Sequence, residues 1–126
     1  MNDPFIEYVN MCETAIEVQN LWKPIIGDKF VKKEEPRDYK VFTAINTSTM
    51  NDIVKEGLIW LPYQEELQNI LRKHYQSNIL MTEEFLNFLY EVENLEIETM
   101  SINQLYLLFT MKIITGKTWK DGKWAN

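Results

Sequence analysis

The segment from Ser101 to Asn126 constrains the fold more than any other. Ser101-Ile-Asn-Gln104 places a serine three residues ahead of a glutamine, the pattern of a helix-opening capping box. Ile102, Leu105, Tyr106, Leu107, Leu108, Phe109, Met111, Ile113 and Ile114 then cover almost the whole helical circumference, so this helix has to be buried on most sides. Gly116 stands at the expected stop, with Lys112 and Lys117 near the negative end of the helix dipole. Asp121-Gly122 signals a type I′ hairpin turn, whose two-residue loop pairs Lys120 with Lys123 and, one step out, Trp119 with Trp124. The spacing predicts a central helix over 101–115, with Leu105, Leu108, Phe109 and Ile113 in the core and the tryptophan hairpin as its lid.

The rest of the chain punctuates itself less sharply. Asp3-Pro4 reads as a cap followed by proline in the first helical turn, opening a helix over 3–22 with Cys12 inside its apolar stripe. Lys23-Pro24 closes it. Strands are expected over 28–32, 39–45 and 58–61, the first two as an antiparallel pair around the charged loop 32–38. Ser48 or Thr49 could cap a short helix ending near Glu56. Pro62 opens a helix over 62–75, and Thr82 caps a shorter one over 82–93. Leu95-Glu-Ile-Glu98 alternates as a brief strand or connector. These elements predict an α+β fold: a helix-dominated single globular domain over 1–126, with three to four helices, a small antiparallel sheet and a C-terminal β-hairpin.

At 126 residues the chain buries a core without help from disulfides or a structural metal, and its single cysteine, Cys12, allows no intramolecular disulfide. The N-terminal stretch has neither the basic nor the apolar region of a secretory signal, and no apolar run reaches the roughly 18–20 residues of a membrane span. Cytoplasmic residence, with no membrane association, is the expectation. The net charge of −6 is unevenly spread: residues 74–111 hold six acids and no Lys or Arg, whereas residues 112–126 hold four bases and one acid. Such a surface disfavours nonspecific nucleic-acid binding, which needs clustered cations.

Catalytic patterns are sparse. One His and one Cys, 62 positions apart, give no zinc-ligand spacing, and the four isolated glycines form no phosphate-binding loop. Nineteen acids generate carboxylate pairs such as Glu65/Glu66 by chance. No catalytic residue, metal ligand or cofactor site is therefore assigned. His74, at the end of its helix stripe, reads as structural or as a C-terminal cap, and Asp28 after Gly27 as a turn residue; both remain the candidates if the chain holds a small-molecule site. The stronger functional candidate is the glutamate-rich stretch Glu83, Glu84, Glu91, Glu93, Glu96 and Glu98. It is either a solvated face or a negative patch that docks a basic partner, or one that imitates a nucleic-acid backbone.

Three phrases carry a family resemblance: Leu21-Trp-Lys-Pro-Ile-Ile-Gly-Asp28, Ile59-Trp-Leu-Pro-Tyr-Gln-Glu-Glu-Leu-Gln-Asn-Ile-Leu71, and Ser101-Ile-Asn-Gln-Leu-Tyr-Leu-Leu-Phe-Thr-Met-Lys112 running on to the Trp119–Trp124 turn. Together they resemble a family of short uncharacterised proteins encoded by phages and prophages of Gram-positive bacteria. Tyr106 stands where that pattern has tryptophan, and residues 32–56 have no counterpart in it. The resemblance implies a phage or prophage origin and a shared fold; it implies no activity and supplies no catalytic residues.

Three functions are thus distinguishable in advance. A non-enzymatic phage or prophage accessory protein that binds a host or phage protein requires an exposed, acidic patch. A small enzyme or ligand-binding domain requires a concave pocket containing His74 or Asp28 beside carboxylates. A nucleic-acid binder would use Lys112, Lys117, Lys120, Lys123 and exposed faces of Trp119 and Trp124.

Overall fold

Asp3 opens the first helix as its sequence demands, the side chain accepting a hydrogen bond from the Phe5 N–H at 2.8 Å with Pro4 next to it. The computed structural model describes residues 3–45, 57–92 and 97–126, and the short helix expected before Glu56 lies outside them. The described residues form two compact units, divided between Pro62 and Tyr63.

In the first unit, α1 (Pro4–Thr14) buries Tyr8, Val9, Met11 and Cys12. The single helix expected over 3–22 is in fact two. Ala15 leaves helical geometry (φ −81°, ψ 68°), and α2 (Ile16–Gln19) follows. The Thr14 hydroxyl donates back to the Asn10 carbonyl at 2.8 Å, and the Ala15 N–H still reaches the Met11 carbonyl at 3.0 Å, so the ladder runs to the end of α1 before Ala15 turns the chain. The chain leaves helical structure after Gln19, ahead of the Lys23-Pro24 stop.

Three strands, β1 (Lys29–Lys32), β2 (Val41–Thr43) and β3 (Leu58–Trp60), make an antiparallel sheet in the order β2-β1-β3. The expected strand over 39–45 shortens to 41–43, since Tyr39 takes a positive φ of 58° that no strand can hold. Register places Phe42, Phe30 and Trp60 opposite one another and hence on one face, where Trp22 stacks on Trp60 at 5.9 Å. The opposite alternation sets Val41, Val31 and Ile59 together, and α1 packs against β3. Gln19 closes the outer edge of β3: its amide donates to the Trp60 carbonyl (2.8 Å) and accepts from the Trp60 N–H (2.9 Å). A side chain thus takes the place of a further strand and leaves that edge less open to pairing.

In the second unit, α3 (Gln64–Leu71), α4 (Asn78–Glu91) and α5 (Ile102–Thr115) surround a core centred on α5, which packs against both other helices and against the hairpin strand β4 (Thr118–Lys120). The capping box is formed as read: Ser101 Oγ accepts from Gln104 N–H at 3.1 Å, and Gln104 Oε1 from Ser101 N–H at 2.9 Å. Gly116 ends the helix in the left-handed region, φ 77°. Leu108 and Phe109 are fully buried, while Leu105 and Ile113 are only half-buried; Gln104 and Thr110 are buried as well. The hairpin pairs β4 with β5 (Lys123–Ala125) in the expected register, Trp119 opposite Trp124, and stands apart from the three-stranded sheet.

Two helices of this unit differ from expectation at both ends. The helix expected over 62–75 spans 64–71, because Tyr63 is its cap; the Tyr63 N–H donates to Glu66 three residues on. The helix expected over 82–93 spans 78–91. Ser77 is the cap and accepts from Leu80 N–H at 3.0 Å, while Thr82 lies inside and donates to the Asn78 carbonyl. Ile97–Thr99 is a 3-10 turn rather than part of a strand. The fold class is α+β with helices dominant, a small antiparallel sheet and a C-terminal hairpin.

Candidate functional site

The acidic stretch maps mainly onto α4. This helix carries apolar residues on two sides, and only one side is covered. Met81 and Phe85 are buried, and Phe88 is half-buried; Phe85 stacks on Tyr106 with ring centres 4.0 Å apart and tilts against Phe109 at 5.5 Å, and Phe88 meets Phe109 at 5.4 Å. Those contacts fix the rotation of the helix, and apart from the half-buried Leu89 the remaining positions face outward.

Ile79, Glu83, Leu86 and Tyr90 recur at steps of four, three and four residues and so lie along one line of the helix. Ile79 is 74% exposed and Tyr90 89%, with Leu86 and Glu83 also exposed. A neighbouring line holds Leu80, Glu84, Asn87 and Glu91, all exposed. Of the six glutamates, the structure therefore brings Glu83, Glu84 and Glu91 together on one helix face. Glu98 is exposed on the 3-10 turn, and Glu93 and Glu96 lie outside the described residues. Glu84 also acts on Tyr75, whose phenol is raised above its ordinary value first by burial and then by the Glu84 charge.

The apolar half of this face was not legible from the assumed start at Thr82, which discards Ile79 and Leu80. The signal was present in Ser77. A cap there extends the helix by a full turn and gives it more apolar residues than one buried stripe can use.

The alternative candidates are placed quite differently. Asp28 is 1% exposed, and its Oδ2 accepts from the Trp22 indole N–H (2.8 Å) and the Ile25 N–H (2.9 Å). Its backbone joins the same small structure: Asp28 carbonyl accepts from Ala44, and Gly27, at φ 99°, donates to the Ala44 carbonyl. The carboxylate therefore ties the 22–28 turn to its tryptophan. His74 is exposed in the turn after α3, where its N–H donates to the Leu71 carbonyl. A groove along α3 is lined by Tyr63, Gln64, Glu65, Gln68, Arg72 and Asn103, and contains neither residue. Three of its residues are tied up within the fold: Gln64 N–H donates to Asn103 at 2.8 Å, and Gln68 to the Tyr106 hydroxyl at 3.1 Å.

In the hairpin, Trp119 is buried and meets the half-buried Trp124 edge-to-face at 5.1 Å, so Trp119 has no open indole face for a base and Trp124 is partly covered. Lys120 and Lys123 are opposed and exposed, Lys112 is exposed on α5, and Lys117 is half-buried. Cys12 is fully buried, and burial pushes its thiol far above the ordinary range. Among the described residues, no group of three or more His, Cys, Asp and Glu could hold a metal ion, and no helix is long and apolar enough to cross a membrane. None of the protein-family models, curated proteins or solved structures compared with this chain matches it.

Proposed function

We propose that this chain is a non-enzymatic accessory protein of phage or prophage origin, acting in the cytoplasm by binding a host or phage protein. The observation that carries this reading is the outer face of α4, where Glu83, Glu84 and Glu91 are exposed within a span, 74–111, that has no Lys or Arg. A surface of that kind attracts a basic protein from a distance and repels acidic ones, so it favours encounter with one class of partner. The phage assignment is supported by the sequence phrases at 21–28, 59–71 and 101–124.

The test is capture from a Gram-positive host lysate, with and without phage infection, on the immobilised chain. A variant carrying Glu83→Lys, Glu84→Lys, Glu91→Lys and Glu98→Lys is expected to lose the captured protein while keeping its circular dichroism spectrum. Equal capture by both forms, or nothing above background, would sink the reading.

A further inference from the structure

We infer that the outer face of α4 is a seam for one kind of occupant: an amphipathic helix of another protein whose apolar stripe is flanked by Lys or Arg. This rests on the protein-binding reading above and supplies the partner's chemistry.

The seam is apolar before it is acidic. Ile79, Leu86 and Tyr90 lie on one line and Leu80 beside it, all exposed on a helix whose opposite side is already packed. Steps of seven and four, two turns and then one, are those by which one helix presents anchors to another surface. An aromatic side chain as open as Tyr90, in line with two aliphatic ones, marks a contact surface rather than a scattered apolar residue.

The carboxylates choose the occupant. Glu83 sits within the apolar line, between Ile79 and Leu86, and Glu84 and Glu91 run beside it. Covering them with a neutral surface would strip their hydration without compensation, so the covering element has to bring cations. Lys and Arg suit this position because their alkyl stems lie over apolar neighbours while the charged ends reach the carboxylates. Three other occupants meet repulsion. A second copy docking by the same face would bring Glu83, Glu84 and Glu91 against the same three carboxylates, with no Lys or Arg on α4 itself to offset them. Anionic lipid and nucleic acid are repelled by the same glutamates.

The experiment titrates the isotopically labelled full chain with a synthetic amphipathic helix of leucine and lysine, followed by amide resonances. Two peptides of equal length serve as comparisons, one with serine in place of leucine and one with glutamate in place of lysine. The leucine–lysine peptide is expected to shift resonances across 78–91. Leu86→Ala with Tyr90→Ala, both at exposed positions, should weaken it about tenfold with the fold intact. Glu83→Lys, Glu84→Lys and Glu91→Lys together should turn the preference to the leucine–glutamate peptide.

Equal binding of the serine–lysine peptide, or no effect of the alanine pair, overturns the seam but leaves the acidic protein-binding reading standing. If the leucine–lysine peptide shifts no resonance of 78–91, the seam is overturned. If, in addition, the lysine triple variant captures the same lysate protein as the native chain, the acidic reading falls as well. A dimer dissociated by Leu86→Ala and Tyr90→Ala would assign the face to a second copy and overturn the proposal too.

Discussion

A buried carboxylate and a buried thiol each have a structural role in the first unit. Asp28 is held through Oδ2 by the Trp22 and Ile25 N–H groups, which ties the turn together. Asp28→Ala leaves the Trp22 indole and the Ile25 amide without their acceptor, and the expected loss is about 3 kcal/mol in urea unfolding followed by tryptophan fluorescence. A loss below about 0.5 kcal/mol would remove Asp28 from its structural role. Cys12 has only its neutral form to offer the core, and burial outweighs the hydrogen bond with Tyr8 that lowers its value. The folded state keeps the thiol proton at pH values where the unfolded chain, near 9.0, has lost it. Stability attributable to this group is therefore full at neutral pH and falls as pH rises above that value. Alkylation by iodoacetamide at pH 8 should proceed only after unfolding, and rapid labelling of the native protein would contradict the burial. The side-chain roles were only partly legible in advance. The turn role of Asp28 and the burial of Cys12 followed from a flanking glycine and an apolar stripe, whereas the Trp22 N–H that holds Asp28 sits six positions away and carries no local signal.

Among the elements, those with start and stop signals on the same side chains were read correctly. Ser101, Gln104 and Gly116 delimit α5 because each satisfies backbone groups within one turn of itself. Ser101→Ala should destabilise the chain by about 1 kcal/mol, measured by thermal or urea unfolding, and Ser101→Asp should restore most of it. Elements whose limits depend on a choice between neighbouring caps were misread. Thr82 and Ser77 are both good capping residues; Ser77 takes the Leu80 N–H, and the helix that starts there carries Phe85 onto Tyr106 of α5. The first helix breaks at Ala15, a backbone departure that the apolar periodicity running past it does not register. The candidate site suffered from the same ambiguity. Its glutamates were named from charge alone, while its apolar anchors at Ile79 and Leu80 came into view only with the correct helix start.

For the molecule as a whole, charge is the property with the farthest reach. The net value of −6 is concentrated where the chain has no base to screen it, so attraction to a basic partner should weaken with ionic strength. Raising salt from low to about 0.5 M is expected to slow association with the captured partner far more than it speeds dissociation, as read by surface plasmon resonance. A salt-independent association rate would count against electrostatic steering. The tryptophans give this chain a second property at the same scale. Trp22 and Trp60 stack within the unit ending at Pro62, and Trp119 and Trp124 meet within the unit beginning at Tyr63. Each unit thus carries its own pair of intrinsic fluorophores. Exchanging Trp119 and Trp124 for phenylalanine leaves emission that reports on residues 1–62 alone, and the converse exchange isolates the other unit. The melting of either unit, and its response to a bound partner, can then be followed optically with no dye attached.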